Sequence, residues 1–282
     1  MSVYQLFFVF GKTGTYLLDH PQGCVRRNCP QELVAKLDSL RIQQIESLAL
    51  DANGNFFLRG TDNAGRIWCY RGGEAVGTYA TLEDIAYKNG ALTPHEIRAT
   101  YGSAIGHVAA WSGNGSWRWF SHDNIGIPDW VMKDPRHIKQ VALGLDRSWF
   151  VLWTDGHCDY ACGNSYPELY HSLQNQRRGD VVFVAMKPHR ENEYFIALAD
   201  GRVHIRASAI CEADVVHILS TYDQLEVISS EVSNFSHRVV SQPSIPQRAR
   251  KREFLNGLVQ NVGGGIVSAI VTTVLTASCC VM

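Results

Sequence analysis

The sequence predicts an all-β chain folded as a β-propeller of five or six blades, on three observations. A two-strand phrase recurs five times, an aromatic residue keeps its place in each recurrence, and the mean spacing fits one blade per repeat. The phrase is clearest at residues 140–156, QVALGLDRSWFVLWTDG. Residues 141–143 read as one strand and 149–153 as the next, and Asp155-Gly156 ends the second with a turn signal. Further copies cover residues 47–65, 107–126 and 183–201, with a worn first copy at 7–23. Aligned on the second strand, the aromatic column reads Tyr16, Phe56, Trp117, Trp149, Tyr194. Two residues on stand Leu18, Leu58, Trp119, Val151 and Ile196, on the same strand face because side chains alternate with period two. The first strand supplies Val9, Ala49, Ala109, Ala142 and Ala185, mostly small residues to oppose large ones. Differences of residue number along the aromatic column are 40, 61, 32 and 45, a mean of about 44, within the roughly 40–50 residues of a four-stranded blade.

Residues 1–69 hold the first strand pair, a connection and the second repeat. The connection NCPQELVAKL at 28–37 matches NSYPELYHSL at 164–173: each sets Pro before Glu-Leu, with another Leu four residues later. GRIWC at 65–69 and GRVHI at 201–205 read as matching third strands. Residues 70–104 form an insertion with two short helices, where Thr93-Pro94 followed by Glu96 marks a helix start. Helix is expected mainly there and in the C-terminal tail. Residues 105–206 carry three repeats and six of the seven tryptophans. Residues 225–232, LEVISSEV, either complete the last blade or pair with the first and close the ring, which removes free sheet edges. The propeller is expected over 1–240, a basic, Pro-containing linker over 241–253 and an apolar tail over 254–282.

With these residues in view, the repeats resemble the divergent WD40- or YVTN-like units of fungal β-propeller proteins, in which a "VALG…YFV…DG…LP…L" sentence recurs. The resemblance runs from about Val3 to Leu225. It implies the fold and, since one fold hosts many functions, no particular activity.

A chain of 282 residues, 45% hydrophobic and 19% charged, can bury one sizeable core. A net charge of −1 provides no global field to attract nucleic acid. MSVYQLFFVF has no basic region before its short apolar run, so no secretory signal is expected. Eight irregularly spaced cysteines then read as reduced thiols. Cys158 and Cys162, beside His157 and Asp159, and Cys24 with Cys29, lack the spacing of a zinc site, and neither metal nor cofactor is expected. There is no nucleophile elbow, Walker loop or HExxH, and Gly263-Gly264-Gly265 is not followed by Lys-Ser/Thr. Asp62, Asp155 and Asp200 recur near hairpin ends, which argues for a turn role, since a catalytic group is needed once.

Trp117, Trp119 and Trp149 fall in packing columns. Trp111, Trp130 and Trp153 do not, and are the expected exposed ligand contacts. The chain ends Cys279-Cys280-Val281-Met282, a C-a-a-X pattern whose Met directs farnesylation of Cys279; it departs from the ideal at Cys280, itself a candidate for palmitate. One lipid binds membranes marginally, and the cluster Arg248, Arg250, Lys251, Arg252 or the apolar tail supplies a second attachment. Residues 255–277 are also long enough for a spanning tail anchor, although Gln260, Asn261 and several Gly, Ser and Thr weaken that reading. The expected function is a non-enzymatic recognition or scaffolding module at the cytoplasmic face of a membrane, with a protein or glycan ligand. The alternatives are a lectin-like glycan binder and an enzyme with its site in the propeller channel.

Overall fold

A computed structural model describes residues 6–12, 14–73, 96–103, 108–116, 118–120 and 126–229. The architecture is mostly β, and every sheet is small. β1 (Phe7–Phe10), β2 (Tyr16–His20) and β3 (Gly23–Arg27) pair antiparallel in chain order. The same meander is repeated by β4 (Ile42–Leu50), β5 (Phe56–Asp62) and β6 (Ile67–Gly72). β7 (Ile97–Tyr101), β8 (Val108–Ser112) and β9 (Arg118–Phe120) form the third sheet, and β10 (Ile138–Leu143), β11 (Trp149–Trp153) and β12 (Cys158–Ala161) the fourth. The fifth has β13 (Val181–Met186), β14 (Tyr194–Leu198) and β15 (Arg202–Arg206), plus a parallel fourth strand, β16 (Glu226–Ser229).

Short helices α1 (Gln31–Ser39), α2 (Asp129–Lys133) and α3 (Pro167–Gln174) connect successive sheets, and α4 (Ala209–Leu219) joins β15 to β16 within the fifth. α1 and α3 are the two Pro-Glu-Leu connections. Each buries a Leu pair at i and i+4, Leu33 with Leu37 and Leu169 with Leu173, on one helix face. Helix makes up 18% of the described residues against 44% strand. Helix therefore also occurs outside residues 80–100 and the tail, where it is mainly expected; residues 80–95 and the tail lie outside the described residues. The 3.6-residue pattern in these connections is only two turns long, too short to stand out. The inserted residues 74–95 lie outside the described residues.

Five apolar clusters hold the sheets together, one between each neighbouring pair. Phe7, Leu17 and Leu33 meet Leu48, Phe56 and Leu58 between the first and second sheets. Ala49 and Phe57 meet Ile97, Tyr101 and Ala110. Trp111 meets Val141, Trp149 and Trp153. Phe150 and Leu152 meet Val184, Tyr194 and Ile196. Finally Phe8, Tyr16 and Leu18 meet Phe195 and Val215, so the fifth sheet packs on the first. The first strands follow the same cycle, β1 against β4, β4 against β7, β7 against β10, β10 against β13 and β13 against β1.

The second strand of each sheet is therefore covered on both faces. In β11, Trp149, Val151 and Trp153 face the third sheet while Phe150 and Leu152 face the fifth. Trp149, Phe56 and Tyr194 of the aromatic column are buried as expected. Trp111 and Trp153, expected to be exposed, are buried as well, at 4% and 0% exposure. The expectation assumed one core face per strand, and these strands have two. Trp117 lies outside the described residues.

The third repeat also needs correcting. Val108 begins the second strand of its sheet, pairing with Tyr101 as Tyr16 pairs with Phe10 and Trp149 with Leu143. Val108 thus fills the column assigned to Trp117, and the intervals become 40, 52, 41 and 45. Residues 226–229 extend the fifth sheet instead of pairing with the first. The contact between those two sheets is completed by α4 and its end. Asp214 accepts hydrogen bonds from the Tyr16 hydroxyl and from Arg27 (2.5 Å), and the Tyr222 hydroxyl meets His20 Nδ1 at 2.9 Å and the Gln22 N–H at 3.2 Å.

Candidate functional site

Local irregularity in the first strands builds the site. Pairing of β4 with β5 skips Glu46, pairing of β10 with β11 skips Lys139, and pairing of β13 with β14 skips Val182. Counted back from the last residues of these strands, Leu50, Leu143 and Met186, the three bulged residues hold one position. A bulge re-aims its side chain relative to the regular pleat. All three line a cavity of about 100 Å³ bounded by the first strands of all five sheets.

One position further along, side chains tie the strands in register. Ser47 Oγ donates to the Ala99 carbonyl and accepts from the Ala99 N–H, both at 3.0 Å. Gln140, at the matching place in β10, makes the same two-way link to Val184 at 2.6 and 3.2 Å. The cavity walls are thereby fixed by backbone-directed bonds, not by packing alone.

Three charged residues line the cavity: Glu46, Arg98 and Lys139. Glu46 is well satisfied, paired with Arg59, with Arg98 Nη2 at 3.4 Å, and with the Thr61 hydroxyl at 2.6 Å. Burial lowers the Arg98 pKa, and burial with the neighbouring Arg98 charge lowers that of Arg59 to about 10. Burial likewise pushes the Lys139 ammonium down to about 8. Among the described residues, Arg98 Nε and the Trp111 indole N–H are buried without a hydrogen-bond partner, and Lys139 has no ion pair. Across β7 and β8, Arg98 stands directly opposite Trp111.

No family model, curated protein or solved structure matches the chain.

Of the tryptophans expected as contacts, Trp111 lines the cavity. Trp153 is locked inside, its indole N–H donating to Asp159 at 2.6 Å and its ring under Arg136 and Arg118. Trp130 is 51% exposed and packs edge-on against Trp149. Trp149 in turn borders a groove with Tyr160, Tyr170, Asp146 and Asn164. Asp62, Asp155 and Asp200 all accept backbone N–H groups from residues two positions on, at 2.8, 2.9 and 3.0 Å, the turn role expected of them. Cys24, Cys29 and Cys158 are pushed up to about 11 and Cys162 and Cys211 to about 12, each chiefly by burial, which keeps the thiols protonated and unreactive. Cys279, Cys280 and the basic residues Arg248, Arg250, Lys251 and Arg252 lie outside the described residues, as do the linker and tail. No helix among the described residues is long and apolar enough to cross a membrane.

The sequence pattern alone does not single out Glu46, Arg98 and Lys139. A signal for two of them is nevertheless present: IESLAL and IKQVAL place a charged residue at the same point of the repeat, where an all-apolar inner strand has no use for one.

Proposed function

We propose that the chain is a five-bladed β-propeller that acts as a binding module, without chemistry of its own, and that the cavity among its first strands is the binding site. One observation carries this reading. Five similar sheets neighbour one another in a cycle, their first strands line a common cavity, and three of those strands supply it with a charged residue. Concave sites with apolar walls and a few placed polar groups are where small ligands bind. A thermal-shift screen of small molecules spanning all charge classes tests the site, using the full chain and an Ala142→Leu variant that fills it. At least one compound should stabilise the wild type and lose its effect on the variant. Hits that ignore Ala142→Leu, or no hits at all, would sink the cavity reading.

The C-terminal pattern supplies the address in this proposal. Farnesyl on Cys279, assisted by the basic cluster at 248–252, holds the module at a membrane face. Cys279→Ser should release much of the protein into the soluble fraction, and high salt should loosen the wild type in part. An intact mass ending in unmodified Met282 in the native host refutes the modification.

A lectin-like reading has one observation of its own, the half-exposed Trp130 beside the groove bordered by Trp149, Tyr160 and Tyr170. Aromatic faces of this kind stack on sugar rings. A glycan array showing one sugar preference, lost in Trp130→Ala, would favour it over the cavity.

A further inference from the structure

We propose that the cavity takes a small monocarboxylate, its headgroup held by Lys139, Arg98 and the Trp111 indole N–H and its short apolar body lying against the inner strands. The inference rests on the cavity being the binding site, and it goes further by naming the ligand class.

The donors come first. Glu46, the one carboxylate in the lining, is already engaged by Arg59, Thr61 and Arg98 Nη2. Among the described residues, Arg98 Nε and Trp111 Nε1 have no hydrogen-bond partner and the Lys139 ammonium has no ion pair. None of these can accept a hydrogen bond. A ligand completing them must bring acceptors only, and an oxyanion does. The group is also positioned by the fold. Arg98 and Trp111 are a cross-strand pair, and β10, which carries Lys139, is the next inner strand in the cycle. Trp111 is 4% exposed, so its unpaired N–H is a buried group directed by packing and not a surface accident.

Size and lining narrow the class. A cavity of about 100 Å³ admits a handful of heavy atoms. Beyond the three charged residues its walls are largely side chains such as Leu6, Phe8, Leu48, Val141 and Val184. Two carboxylate oxygens offer about four lone-pair sites, which three donors and one water can fill. A phosphate brings close to two charges and three strong acceptor oxygens, more than this donor set and these apolar walls can serve. A neutral amide would present N–H groups to a site that has only donors left.

Calorimetric titration of the full-length protein with butyrate, butyramide and inorganic phosphate at pH 7 tests the assignment. Butyrate should bind, with butyramide and phosphate each about tenfold weaker or worse, the loss expected when one charge-assisted bond goes unmade. Lys139→Met should weaken butyrate by about the same factor. Trp111→Phe, which removes only the indole N–H, should weaken it severalfold and serves if Lys139→Met fails to fold. Butyramide binding as tightly as butyrate, phosphate binding more tightly, or butyrate indifferent to both substitutions would overturn the proposal. A neutral compound that binds and is blocked by Ala142→Leu would overturn the carboxylate while leaving the cavity as the site. The absence of any compound blocked by Ala142→Leu would instead remove the cavity.

Discussion

Lys139 shows how a single residue can be kept at a cost to stability. Burial desolvates its ammonium, no ion pair forms to it among the described residues, and its pKa falls from 10.5 to about 8. The unfolded chain therefore holds more protons than the folded one between pH 8 and 10.5. Folding stability rises with pH across that window, and below pH 8 the full penalty is present. A tenfold loss of proton affinity on folding corresponds to about 1.4 kcal/mol, so replacing Lys139 with Met should stabilise the protein at pH 7 by about 2–3 kcal/mol. Thermal melts of both proteins between pH 7 and 10.5 check this: the gap in midpoint should close as pH rises, and a constant gap would mean that packing and not charge is responsible. A side chain that costs stability unless something binds beside it fits a site better than it fits a core. Its charged character is legible at one register of the repeat, together with Glu46. Its direction is not, because a bulge is defined by which partner residue is skipped, and the partner is supplied by the folded sheet.

At the scale of the element, the third sheet separates what pattern can and cannot deliver. Val108-Ala109-Ala110 has the small-residue signature of a first strand, and Trp117 and Trp119 imitate the aromatic column that should follow. Pairing with Ile97–Tyr101 makes Val108–Ser112 the second strand. Both strands are apolar and short, so periodicity alone assigns them equally well, and the pairing partner breaks the tie. The other column positions, Tyr16, Phe56, Trp149 and Tyr194, are legible because a large side chain starting a strand buried on both faces has few substitutes. Trp149 illustrates the point, buried in one apolar cluster with Trp111 and Trp153 and in edge-on contact with Trp130. Trp149→Ala should destabilise the fold by about 3–5 kcal/mol, measured by urea unfolding, as large aromatic truncations do. A loss below about 1 kcal/mol would show that the column is not a core.

For the whole molecule, the decisive contact joins sheets at opposite ends of the chain. The carboxylate of Asp214 on α4 receives both Tyr16 and Arg27 from β2 and β3, and these bonds pull its pKa below the usual carboxylate range. A depressed acid adds stability above its unfolded pKa of 3.8 and loses that contribution as pH falls through the folded value. Asp214→Asn should lower the unfolding midpoint at pH 7 by the equivalent of about 1–3 kcal/mol, with the difference from wild type fading in strong acid. Melts at pH 7 and pH 2.5 read both arms, and an equal deficit at the two would reject the electrostatic account. Because the first and fifth sheets are packed neighbours, Leu6 shares a core with Leu219 and Tyr222. Sheet order along the chain is then a matter of where the cycle of neighbouring sheets is cut. A circular permutant that joins residue 229 to residue 6 by a short flexible linker and opens the chain between β9 and α2 should fold to the same sheets with the same cavity. Its first sheet would be the present fourth, and the covalent link across the present seam would take over the task of α4.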